Sequence, residues 1–147
     1  MGKAYVGVAD DGSAIFMNPS GLGRMRSLKL GSMSGVLLQD INYTVIGAAN
    51  PFDFGTVGIG FINAGISGIP ITTLTGAGTP EFTGESADYN ASLIYLSYGT
   101  DLSKYFDLPI LVDTTVGGSL KIFLQGFKGG GASLEGATGS GLDMDLG

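Results

Sequence analysis

The chain has 147 residues, of which 27 are glycine and 14% are charged, with a formal net charge of -6 and no histidine or cysteine. That composition excludes a disulfide framework and a thiolate metal site. It also removes the commonest general base and any Ser-His or Cys-His pair, so no enzyme is expected, and the acidic balance leaves no basic footprint for nucleic acid.

A typical soluble domain carries about a quarter charged residues and roughly 7% glycine. This chain is poorer in charge, richer in glycine, and has a mean hydropathy of +0.33. No stretch approaches the roughly 18 apolar residues that suggest a membrane helix. The other backbone that satisfies its own hydrogen bonds in lipid is a closed β-barrel. The fold expected is therefore all-β: an antiparallel transmembrane barrel of outer-membrane type, here about six strands, with a short helical or turn segment before them.

Residues 1–26 form the segment expected to sit in the lumen as a plug, and 27–147 the strands. The opening residues contain no apolar h-region, so they are no signal peptide. The expectation is a leader already removed, or a start partway into a gene. Residues 10–16 are read as a short helix with Asp11 as N-cap, stopped by Pro19. Asp10 and Asp11 could be paired carboxylates for acid-base work, but neighbours in an extended chain face opposite ways, which favours capping and solvation. Phe16 is expected to be buried against the inner wall. Asn18-Pro19-Ser20-Gly21 is either a functional plug contact or a plain helix stop and turn.

From about residue 27 the pattern has period two. A first strand is placed near 27–33. A second, over 41–50, sets Ile41, Tyr43, Val45, Gly47 and Ala49 against Asn42, Thr44, Ile46, Ala48 and Asn50. The third, 56–63, sets Val57, Ile59 and Phe61 against Thr56, Gly58 and Gly60. In the fourth, near 88–99, the faces are mixed, and Tyr89, Ala91, Leu93 and Tyr95 are assigned to the lipid side. The fifth sets Val116, Gly118, Leu120, Ile122 and Leu124 against Thr115, Gly117, Ser119, Lys121, Phe123 and Gln125. The sixth sets Leu142, Met144 and Leu146 against Gly141, Asp143, Asp145 and Gly147. Such alternation gives one apolar and one polar face; in a membrane barrel the apolar face meets lipid and the polar face lines the lumen.

Two features favour a barrel over a soluble sandwich. No charged residue falls on a proposed lipid face, and Lys29, Lys121, Asp143 and Asp145 point inward. The connections also alternate: a tight turn at 51–54, a long Gly/Thr/Pro-rich loop over 65–87, a moderate link over 100–113 and a glycine-rich loop over 127–140. Outer-membrane barrels pair short periplasmic turns with longer outer loops. Aromatics near strand ends (Tyr43, Phe52, Phe54, Tyr89, Tyr105, Phe106, Phe127) suit interfacial girdles. Asp143 and Asp145 share a face and could bind a cation, but a site needs further oxygen ligands, so they are read as ordinary lumen residues with Lys121. Gly129-Gly130-Gly131 is a flexible loop, since the glycine fingerprint and following helix of a nucleotide site are missing. No cofactor or metal is expected.

The stretch Gly2-Lys3-Ala4-Tyr5-Val6-Gly7-Val8-Ala9-Asp10-Asp11-Gly12-Ser13-Ala14-Ile15-Phe16-Met17-Asn18-Pro19-Ser20-Gly21-Leu22 resembles the N-terminus of PorV/PorQ-type outer-membrane proteins, which are similar to FadL-type long-chain fatty-acid transporters. Their pattern is G-A-[FY]-V-A-x-A-D-D-x-S-A-x-x-x-N-P-A-G-L. Lys3 replaces a common Gly, Gly7 a common Ala and Ser20 the usual Ala. The ending Gly141-Leu142-Asp143-Met144-Asp145-Leu146-Gly147 looks like a strand of the same barrels. The resemblance implies a barrel of fourteen strands, of which this chain would supply the first six, truncated from something longer. It also implies an N-terminal segment entering the lumen from the periplasm, and either transport of hydrophobic molecules or a part in type IX secretion. The partners expected are outer-membrane lipid, hydrophobic cargo or secreted proteins, and the remainder of the barrel or other chains needed for closure. The rival reading is a soluble or surface-attached glycine-rich β-sandwich, such as an adhesin or filament subunit.

Overall fold

A computed structural model describes residues 12–38, 40–74, 76, 78–106, 109–130 and 136–147. Its strands are β1 (Lys29–Leu37), β2 (Ile41–Phe52), β3 (Gly55–Leu74), β4 (Pro80–Asp101), β5 (Thr115–Gly129) and β6 (Thr138–Leu146). They form one antiparallel sheet in sequence order, with β1 and β6 as its open edges. A short helix α1 (Ala14–Met17) and a 3-10 helix (Pro19–Arg24) precede the sheet and pack on one side of it, the covered face. Among the described residues no other element packs on the opposite side, the bare face.

Register assigns every side chain to a face, because directly paired residues point the same way. On the bare face one row reads Ile46, Phe61, Ile94, Ile122 and Leu142. The next, nearer the β2–β3 turn, reads Leu30, Ala48, Ile59, Leu96, Leu120 and Met144. Ten large apolar side chains in these rows and at Leu146 are well exposed, from 36% at Ile122 to 87% at Leu146.

The expected faces hold for β3, β5 and β6. They do not hold for β2 and β4. Tyr89, Ala91, Leu93 and Tyr95, assigned from sequence to the same side as the apolar residues of β3 and β5, lie on the covered face. So do Tyr43, Val45 and Gly47, the more apolar side of β2. Both strands carry apolar groups on each face, so composition cannot tell which one meets the N-terminal segment.

The long loop expected at 65–87 is not a loop. β3 and β4 continue through it, pairing Ile69 with Ala87, Thr72 with Phe82 and Leu74 with Pro80. β2 stops opposite Ile66 and β5 opposite Ala87, so the far part of the hairpin stands as a two-stranded arm. Register shifts fall between Ile66 and Ile69 and between Pro70 and Thr72. The Asp88 carboxylate accepts from Gly68 N at 2.9 Å, and Thr83 Oγ1 donates to Ile71 O at 3.0 Å. The other connections are short at 53–54 and longest at 102–114, where two 3-10 turns sit. The expected alternation of short and long coil is therefore absent; the reach at one end comes from paired strand.

The aromatic residues also divide. Phe52 stacks on Phe54 at 5.3 Å and Phe54 on Tyr98 at 6.3 Å, with exposed Tyr105 and Phe106 beside the same turn. Tyr43, Tyr89 and Phe127 are on the covered face instead, where Tyr89 and Phe127 are 4.9 Å apart, so they are no part of an outward girdle. Two charges break the expected uncharged bare face: Asp88 and Lys128 are register partners there, at the edge nearest the arm.

The β2–β3 turn is held by one carbonyl. Phe54 O accepts from Tyr98 Oη at 2.6 Å, Tyr105 Oη at 2.6 Å and Thr100 Oγ1 at 3.3 Å. Removing one donor leaves the carbonyl satisfied, so Tyr98→Phe should cost about 1 kcal/mol. That corresponds to a fall in melting temperature of about 2–4 °C, measurable by thermal unfolding; an unchanged value would show that this bond does not hold the turn.

Candidate functional site

The covered face offers a floor of small residues. Its rows read Gly47, Gly60, Tyr95, Lys121, Asp143, then Ala49, Gly58, Ser97, Ser119, Asp145, then Pro51, Thr56, Gly99, Gly117. The N-terminal segment lies directly on this floor. Ala14, Ile15 and Leu22 are at most 1% exposed, and Met25 is 4% exposed. A Cβ on Gly58 would stand 2.8 Å from Ile15 Cγ1, one on Gly60 2.8 Å from Phe16 Cζ, and one on Gly99 2.8 Å from Leu22 Cβ. At Gly117 it would stand 2.6 Å from Ser20 N. These glycines are needed for close approach, not for turning the chain.

Polar groups within this contact are also paired. Ser97 Oγ is 2.7 Å from Ser119 Oγ and donates to Ile15 O at 3.3 Å, so the α1 turn is tied to the wall through its own backbone carbonyl. Phe16 is half-buried and meets Tyr95 edge-on, at 5.1 Å and 83°. Such a pair adds about 0.5–1.5 kcal/mol beyond area burial.

The residues expected to matter here are distributed as follows. Phe16 packs on the wall but is only half-buried, where full burial was expected. Asn18 caps the 3-10 helix, its side chain accepting from Ser20 N at 3.2 Å and from Ser20 Oγ at 2.8 Å. Pro19 takes the first helical position and is buried, as is Gly21, so this motif turns the chain and seats it at once. Asp10 and Asp11 lie outside the described residues; α1 begins at Ala14 with Ser13 at the N-cap position, whose side chain makes no cap hydrogen bond. Lys121, Asp143 and Asp145 come together: Lys121 Nζ is 2.6 Å from Asp145 Oδ2 and 3.5 Å from Asp143 Oδ2. The two carboxylates converge on an ammonium group, not on a gap for a metal. Lys121 also lies over the Tyr95 ring, at 5.8 Å, so the ion cluster abuts the Phe16 contact.

One feature escaped the sequence reading. Beyond the glycine floor, Met33, Val45, Ile62, Leu93 and Phe123 form a register row on the covered face. Ile62 and Leu93 pack against the cluster of Ile15, Leu22 and Tyr95, together with Phe16. The row joins the buried segment to a half-open apolar wall. Its signal was the apolar odd-numbered positions of β2 and β4, which the alternation rule assigned to the other side.

Among the described residues, no cluster of three or more His, Cys, Asp or Glu could hold a metal ion, and no helix is long and apolar enough to cross a membrane. Comparison with family models, curated proteins and solved structures finds no match to this chain.

The floor makes a selective test possible. Gly31 shares the covered face but has open space around it, whereas Gly60 lies under Phe16. Gly60→Leu should lift the segment and forfeit roughly 3–6 kcal/mol of Ile15 and Leu22 burial, freeing the backbone at the already exposed Arg24 for rapid tryptic cleavage. Gly31→Leu should leave the cleavage rate near that of the wild type. Equal rates in both variants would mean that the segment is not held by this contact.

Proposed function

We propose that the sheet is part of a non-catalytic bacterial outer-membrane β-barrel that conducts hydrophobic molecules, with its bare face against lipid and its covered face lining the lumen. The observation that carries this reading is the bare face itself. Soluble monomers rarely expose a contiguous apolar patch above a few hundred Å², and ten large apolar side chains there are at least 36% exposed.

The dimensions fit. From Tyr98 to Asp88 along β4 is ten residue steps, about 33 Å of strand. At a tilt of roughly 40° this is about 25 Å of height, the thickness of the apolar band of such barrels. Aromatic Phe52, Phe54, Tyr98 and Tyr105 stand at one limit, and Asp88 with Lys128 at the other. Asn63, Asn90 and Ser92 fall within the upper part, where hydrogen bonds among them lower the cost of lipid contact. Closure needs at least two further strands, since bacterial barrels start at about eight; the same polypeptide or other chains would provide them.

Barrel interiors are ordinarily polar. The covered-face row of Val45, Ile62, Leu93 and Phe123 is apolar, which suits a hydrophobic cargo. It favours transport over the type IX secretion role that the PorV-like N-terminus also suggests. The N-terminal segment would then act as a plug against this wall.

The deciding experiment is recovery of the chain. It should require detergent or lipid; a monodisperse monomer in plain buffer would overturn the membrane reading and favour a sandwich whose second sheet covers the bare face. Facing can be tested separately. Leu120→Arg on the bare face should lose about 2–4 kcal/mol near the membrane midplane and insert poorly into vesicles, whereas Gln125→Arg on the covered face should insert normally. Deletion of residues 1–26 should raise conductance in planar bilayers without preventing insertion. Unchanged conductance would show that the segment does not plug the pore.

A further inference from the structure

A groove of about 470 Å³ opens at the upper limit of the apolar belt, lined on the bare face by Asp88, Asn90, Ser92, Leu124, Gly126 and Lys128. Gly126 supplies its depth, having no side chain between Leu124 and Lys128 on that face. Its charged groups form an unusual pair. Asp88 and Lys128 are direct cross-strand partners, yet the Asp88 Oδ1 atom is engaged by Gly68 N at 2.9 Å. No ion pair joins the two among the described residues. The rim thus presents an ammonium and a carboxylate side by side, each with bonding capacity to spare. The neighbouring amides are fixed, since Asn63 Nδ2 donates to Asn90 Oδ1 and to Ser92 Oγ, each at 2.9 Å. Below the groove, Leu124, Ile122 and Leu120 continue as one stripe down β5.

We propose that this groove holds the headgroup of a bilayer phospholipid bearing both a phosphate and a primary amine, with an acyl chain lying along the Leu124–Ile122–Leu120 stripe. The inference rests on the membrane reading above. Lys128 meets the phosphate and the free Asp88 oxygen accepts from the amine, both as charge-assisted hydrogen bonds. An anionic glycerol headgroup would bring net negative charge beside Asp88 and offer that carboxylate only neutral hydroxyl donors, weaker than an ammonium. A quaternary amine has no N–H to donate. The occupant is therefore selected by two groups of opposite sign at one cross-strand position.

Native mass spectrometry of the full-length protein tests this, using detergent micelles with equal amounts of phosphatidylethanolamine, phosphatidylcholine and phosphatidylglycerol. The wild type should retain phosphatidylethanolamine about tenfold over the other two, the effect of one charge-assisted hydrogen bond. Lys128→Gln should weaken its retention, Lys128→Arg should restore it, and Asp88→Asn should erase the preference over phosphatidylcholine. Both residues are exposed, so these changes leave the core intact. Equal retention of the three lipids by the wild type, or selectivity unchanged in Lys128→Gln and Asp88→Asn, overturns the proposal. A protein that needs detergent but shows no headgroup preference overturns this inference alone. One that is monodisperse in plain buffer overturns the membrane reading as well.

Discussion

The organisation of this chain depends on how closely a helical turn can approach a β-sheet. Side chains normally hold a helix well clear of the sheet backbone. Here Gly47, Gly58, Gly60, Gly99 and Gly117 remove the Cβ layer beneath the N-terminal segment. Ile15 and Leu22 can then touch main chain and be fully buried, although the sheet brings few large apolar groups to that region. The price is paid on the sheet, since glycine inside a strand weakens it by roughly 0.5–1 kcal/mol relative to alanine. Burial of two large aliphatic side chains, about 1.5–3 kcal/mol each, offsets much of that cost. The segment and the wall therefore stabilise each other, and neither is well explained alone.

The same trade explains the unequal faces. On the bare side, large apolar residues repeat without regard to any partner in this chain, and rows such as Ile46, Phe61, Ile94, Ile122 and Leu142 are uniform across five strands. On the covered side the character changes along the strands: glycine and serine where the segment lies, an ion cluster at Lys121, then the apolar row through Ile62 and Leu93. A uniform face fits a uniform environment. A graded face fits specific contacts at specific heights.

This contrast also sets what could be read from the sequence. β3, β5 and β6 were legible because one side is large and apolar while the other is glycine or polar, so period two alone identifies the faces. β2 and β4 were not, because Val45, Leu93 and Tyr95 lie on the face that carries the N-terminal segment while Ile46, Ile94 and Leu96 lie on the bare face. The turn at Asn18-Pro19 could be foreseen from local chemistry, whereas Phe16, expected to be buried, is only half-buried. The glycine floor could not, since an excess of glycine has no direction until register aligns it. The stretch 65–87 looked like coil because Gly, Thr and Pro are turn residues, but cross-strand hydrogen bonding, invisible in composition, makes it strand. The approach of Lys121 to both Asp143 and Asp145 likewise required knowing that β5 and β6 are neighbours.

The projecting β3–β4 arm has one more implication. A ribbon with two free edges is a template on which another chain could add a strand, and so a seed for uncontrolled assembly. This arm presents poor templates. Pro70 lacks an N–H, two register shifts break the spacing of one strand against the other, and Gly84 sits at φ 83°. The Thr83 hydroxyl occupies both Ile71 O and Glu85 N. Irregularity here works as insulation: copies of the chain can crowd together with their arms in contact and still not knit into a continuous sheet.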